Sequence, residues 1–120
     1  MNTLYFREQF ITAAIDHESD TIKGDSRKTN RAADKLAAIY VELKQDVGKL
    51  IEILLELLNY PNESVQKWAA GYLLPYRQEI AEQKLEEIAN GDGYGFTTFD
   101  ALMVLKEWRK GTLKFPPFDS

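Results

Sequence analysis

One histidine, no cysteine and a set of carboxylates spaced one helical turn apart are the residues from which any chemistry in this chain would have to be built. His17 stands between Asp16 and Glu18. An imidazole can serve as a general base near neutral pH, but at the end of a helix its ordinary state is solvated or stabilised by the helix terminus. No Ser-His-Asp or Cys-His arrangement and no His-Glu-x-x-His motif accompanies it, so nucleophilic and zinc chemistry are not expected. The run Gly91, Asp92, Gly93, Tyr94, Gly95 has the composition of a phosphate-cradling loop. It follows a helical segment rather than a strand, and reads as an interhelix turn. Without cysteine there is neither a disulfide framework nor a thiolate site. No catalytic residue, cofactor or metal is therefore expected, and the reading is of a protein that is not an enzyme.

The carboxylate pairs Glu52 with Glu56 and Glu82 with Glu86 are the remaining candidates for acid and base work. Both fall opposite a leucine stripe, where acidic side chains ordinarily form the solvated face of a helix. With Glu79 they define an acidic surface suited to steering a cationic partner and occupying the lysines or arginines that hold nucleic acid. An alternative basic face is offered by Arg27, Arg31 and Lys35, spaced to contact phosphates from one helix, with Asp34 interrupting it. Tyr60, Tyr94 and Phe96 lie between helical patterns, the expected location of exposed aromatic anchors. Trp68 and Trp108 share stripes with leucines or alanines and read as core.

These groups are carried by apolar patterns of helical period, with no sustained alternation of the kind a half-buried strand requires. Thr3 is the expected cap of a first helix bearing Leu4, Phe6, Phe10, Ile11, Ala14 and Ile15, which fades in the polar run Asp16 to Gly24. Ser26 starts a second, with Thr29, Ala32, Ala33, Leu36, Ala37, Tyr40 and Leu43 inward. Asp46 and Asn62 are expected caps of the third and fourth. The third buries Val47, Leu50, Ile51, Leu54, Leu55 and Leu58; the fourth carries Val65, Trp68, Ala69, Ala70, Tyr72, Leu73 and Leu74, with Lys67 on its polar side, and stops or kinks at Pro75. A fifth places Ile80, Ala81, Leu85, Ile88 and Ala89 inward. A sixth, capped by Thr97 or Thr98, carries Phe99, Ala101, Leu102, Leu105 and Trp108 to a stop at Gly111.

The chain has 120 residues, 44% hydrophobic and 28% charged, which suits one globular domain over 1–113 with an extended tail at 114–120. The net charge of −4 favours a basic protein partner over nucleic acid. The segment MNTLYFREQF lacks a basic region followed by an apolar run, and the stretch Val47 to Leu58 is shorter than the about 20 apolar residues of a membrane span. No signal peptide and no membrane contact are expected, and a cytoplasmic location is.

Ala32, Ala33 and Leu36, then Ala69, Ala70 and Leu73, then Ala101, Leu102 and Leu105 repeat one spacing. Leu50 to Leu58, Pro61, Asn62 and Val65 to Leu73 resemble a HEAT repeat. The expected fold is all-α, with about six helices in three stacked antiparallel pairs as a HEAT- or armadillo-like α-solenoid. In such a stack the third and fifth helices share an outer layer, and with it the five glutamates. The residues Val65, Trp68, Ala69 and Ala70, the Ala81, Leu85, Ile88, Ala89 helix, and Ala101, Leu105, Trp108, Lys110 and Gly111 recur together. On these, over about residues 30–114, the chain resembles a small bacterial HEAT-like family of unknown biochemical activity. It also resembles the immunity proteins encoded beside secreted toxins, including those of contact-dependent inhibition. That resemblance implies binding of a cognate toxin, of basic, nuclease type, as a monomer or one-to-one heterodimer. It leaves a HEAT-like adaptor, and behind it a nucleic-acid binder, as alternatives. The polar stretch Asp16 to Thr29 and the Lys-Phe-Pro-Pro-Phe tail depart from the pattern.

Overall fold

The structure, a computed structural model, describes residues 2–91 and 95–113. Six helices fill it: α1 (Thr3–Ile22), α2 (Ser26–Leu43), α3 (Val47–Leu57), α4 (Glu63–Leu73), α5 (Gln78–Ala89) and α6 (Phe96–Lys110), with no strand among the described residues. The all-α class is the one the periodicity requires. Tyr94 and the tail at 114–120 lie outside the described residues.

Side-chain caps explain most of the boundaries. Asp46 Oδ1 accepts from the Lys49 amide at 3.2 Å and Asn62 Oδ1 from the Val65 amide at 3.1 Å, each satisfying an amide that has no intrahelical partner. The first helix is capped by Asn2 rather than Thr3, and Asp25 caps the helix that Ser26 begins. Neither Thr97 nor Thr98 caps α6; Gly95 holds that position without a side-chain bond. Gly111 ends α6 at φ 76°, the left-handed conformation expected of it.

The larger correction concerns α1, which does not fade at Asp16 but continues to Ile22 before turning at Gly24, φ 75°. Nothing between Asp16 and Lys23 breaks a helix, and tertiary contacts described below hold this polar turn in place.

Successive helices pack as pairs, α1 on α2, α3 on α4 and α5 on α6. Helix α4 is innermost, touching α1, α3, α5 and α6, and from Ala69 to Leu74 every residue is buried. Small side chains at Ala69, Ala70 and Gly71 permit that close approach. Helix α1 also reaches α4 and α6, which closes the pairs into a compact bundle of 37 × 30 × 29 Å. Beside α4, an aromatic ladder runs through the core. The His17 ring meets Trp68 edge-on at 4.9 Å, Trp68 stacks on Tyr72 at 6.2 Å, and Tyr72 on Tyr40 at 5.0 Å. The Tyr40 hydroxyl bonds that of Tyr76, and burial raises the pKa of both Tyr40 and Tyr72. No helix of the described residues is long and apolar enough to cross a membrane.

The third repeat match differs from the first two. Ala101 and Leu105 are buried, but Leu102 is 41% exposed, and Phe99, expected in the core, is 60% exposed. Leu4, Ile15, Val47 and Ile80 are likewise outside, while Ile53 and Leu57 take inward positions in α3. Helix α6 carries apolar side chains on more of its circumference than the bundle covers.

Candidate functional site

Three titratable side chains from three helices converge on one cavity: His17 of α1, Lys67 of α4 and Asp100 of α6. Its volume is about 210 Å³, and Trp68, Gly71, Met103 and Val104 complete the lining. Lys67 precedes Trp68 on α4 and its side chain is buried rather than in solvent. Lys67 Nζ lies 3.2 Å from Asp100 Oδ2 and 4.5 Å from the centre of the Trp68 ring. The ammonium thus has a carboxylate on one side and a π face on the other. Even so, burial dominates and lowers the lysine pKa, with the Asp100 charge and hydrogen bond, and then Glu18, acting in the opposite direction.

The imidazole of His17 is half-buried and makes no hydrogen bond to another described residue. Burial lowers its pKa, the Lys67 charge adds to that shift, and Asp100 and Asp20 oppose it. The neutral ring is therefore the resting state at pH 7. Next to it, Glu18 accepts from the buried Thr97 hydroxyl, which ties the end of α1 to the start of α6. This bond and the His17–Trp68 contact hold the last turns of α1 helical.

The cavity opens beside an apolar surface. Ile22 of α1 and Phe96, Phe99, Leu102 and Met103 of α6 are all exposed. A second hollow, lined by Glu18, Ile22, Gly95, Phe96, Phe99 and Asp100, joins the two helices. Contiguous exposed apolar side chains of this kind are uncommon on a surface that contacts only water.

The glutamates expected to form an acidic face are largely engaged. Arg7 pairs with Glu56 at 3.0 Å, Arg109 pairs with both Glu82 and Glu86, and Lys49 pairs with Glu52 at 3.6 Å. Each carboxylate cluster thus meets its own cation on a neighbouring or the same helix, while Glu79 is exposed near the start of α5. Helices α3 and α5 do face each other, across a groove lined by Leu55, Leu58, Asn59, Ile80, Gln83, Lys84 and Glu87. On the other side of the bundle, Arg31 and Lys35 line a crevice that also contains Asp16 and Asp20, so acidic groups interleave the basic face; Arg27 is exposed beyond it. Of the aromatic anchors, Phe96 is exposed as the first residue of α6 rather than in a loop. Tyr60 is instead half-buried against the core, because the turn after α3 folds back and Gln66 Nε2 bonds its carbonyl at 2.7 Å.

Sequence reasoning missed this cavity. Lys67 reads as one more surface cation and His17 as a frayed end, and Asp100 has no distinguishing neighbour. The one available signal was Lys67 beside Trp68, a cation sharing a turn with a residue already assigned to the core.

The fold is similar to the crystal structure of the protein RPA1889 from Rhodopseudomonas palustris CGA009, at 28% sequence identity and a TM-score of 0.83, covering 96% of this chain and 94% of that one. Comparison with curated proteins yields no match. A family model matches residues 7–108, from within α1 to within α6, and on it the chain belongs to the family described as a domain of unknown function, DUF2019.

Proposed function

We propose that this domain is a non-catalytic binding module that neutralises a cognate bacterial toxin by covering it, with the α1–α6 surface as its docking face. The observation that carries the docking face is the cluster of Ile22, Phe96, Phe99, Leu102 and Met103, exposed together beside a hollow on two helices. Such a cluster supplies the desolvated centre of a protein interface, and the half-exposed charges of Glu18 and Asp100 supply a polar rim. The toxin comes from the resemblance of the chain to a small HEAT-like family whose relatives include immunity proteins encoded beside secreted toxins. A basic partner agrees with the net charge of −4.

The test is coexpression with the product of the adjacent gene, scoring complex formation and rescue of growth. A stable one-to-one complex with rescue is expected, lost in Phe99→Asp and Leu102→Asp variants that keep their folding midpoint. Loss on charge reversal at Glu52, Glu56, Glu82 and Glu86 instead would move the interface to the acidic helices. Absence of both complex and rescue refutes the pairing with that gene product.

A further inference from the structure

A domain of this size rarely buries an ammonium group, and Lys67 is only 6% exposed, held by a carboxylate that is itself 37% exposed. The ion pair lies where a cavity of about 210 Å³ meets the surface, and the remaining walls are Trp68, Gly71, Met103 and Val104. Pockets with apolar walls and a few convergent polar groups are the usual form of a small-molecule site. An apolar cavity of about 150 Å³ accommodates benzene, so this one has room for a six-membered ring and a small head group.

The charges decide the class of head group. Among the described residues, Asp100 Oδ1 accepts no hydrogen bond, and Lys67 Nζ makes only its one bond to Asp100, leaving donor capacity. An anionic ligand would meet the Asp100 carboxylate that lines the cavity, and a cationic ligand would meet Lys67. A neutral group that offers one acceptor and one donor side by side meets neither repulsion. It adds to the ion pair a carbonyl for the ammonium and an N–H for the free carboxylate oxygen. His17 and Trp68 both line the cavity and supply aromatic wall to a planar body.

We propose that the cavity between α1, α4 and α6 binds a small planar molecule with a neutral primary amide, its carbonyl accepting from Lys67 and its amino group donating to Asp100. This site acts on the isolated domain and does not depend on docking of a protein partner.

The experiment titrates the whole isolated domain with benzamide, benzoate and benzylamine, three probes of one shape and three charges, following amide and indole resonances and Trp68 fluorescence. Benzamide is expected to give saturable shifts at His17, Lys67, Trp68, Asp100 and Val104, with benzoate and benzylamine at least about tenfold weaker. Two variants locate the response: Lys67→Met removes the donor, and Met103→Trp adds bulk to the lining while leaving both charged side chains in the sequence. Both are expected to lose benzamide binding while keeping the parent spectrum elsewhere. No saturable shift with benzamide, equal binding of all three probes, or undiminished binding in Met103→Trp would each overturn the proposal.

Discussion

Lys67 and Asp100, 3.2 Å apart across α4 and α6, form an ion pair whose two ends differ in burial, the cation enclosed and the anion partly in water. The asymmetry fixes the order of two mutational effects. Asp100→Asn leaves an enclosed ammonium without its counter-charge and is expected to cost about 3 kcal/mol near neutral pH. That loss narrows as the pH rises, because a lysine whose pKa burial already lowers sheds its proton and then needs no carboxylate. Lys67→Met leaves a carboxylate that water can reach, and stability is expected to stay within about 1 kcal/mol of the parent. Urea titrations of both variants from pH 6 to pH 9 check the order; equal losses would contradict it.

His17 makes folding sensitive to mild acid. Burial and the Lys67 charge lower its pKa in the folded state, while the unfolded chain takes up a proton near the usual imidazole value of about 6.5. In the window between the two, the unfolded state binds more protons, so stability falls as pH drops below about 6.5 and stops falling through this group beneath the lowered value. Melting curves of the parent and of His17→Gln between pH 7.5 and pH 5 are expected to diverge, with the parent losing more. Parallel curves would remove the imidazole from the account.

Arg109, its side chain 52% exposed, occupies both Glu82 and Glu86. Arg109→Ala should leave the melting temperature unchanged, since exposed pairs contribute little. It also frees two carboxylates on α5. If the proposed docking on the α1–α6 surface holds, association with the proposed partner should keep its rate and its salt dependence; a faster and more salt-sensitive association would assign the interface to the glutamates.

Two glycines predict opposite signs. Gly111 has φ 76° and open space where a methyl group would sit, so Gly111→Ala carries only the backbone penalty, about 1 kcal/mol destabilising. Gly48 lies within α3, where an added methyl would meet Asp46 Oδ1 at an ordinary 3.5 Å, and Gly48→Ala is expected to stabilise by about 0.5 kcal/mol. Thermal unfolding of the two single variants separates these cases.

The parts of the fold that were legible in the sequence are those set by local chemistry. Asp46 and Asn62 cap because short polar side chains reach the next turn's amides, and Gly111 stops α6 because only glycine adopts its φ freely. Distance in sequence hid the rest. The end of α1 is helical because His17 meets Trp68 and Glu18 meets Thr97, contacts that no window of neighbouring residues contains. Periodicity put Phe99 and Leu102 on the inward stripe of α6, but the bundle covers only the Ala101 and Leu105 side of that helix and leaves both exposed. The site was lost for the same reason: Lys67 becomes unusual only when α6 delivers Asp100 to it.

The bond from Thr97 to Glu18 joins the last helix to the first, which gives the domain a particular history on the ribosome. The α1–α2 hairpin emerges early, yet the residues that enclose His17 arrive in two later instalments, with α4 and then with α6. At synthesis rates of about 5–20 residues per second, the nascent chain spends a period on the order of seconds with that side of α1 bare. A chain terminated before α6 lacks both the Thr97 partner of Glu18 and the Asp100 wall of the cavity, so the end of α1 would have neither its tether nor its cover.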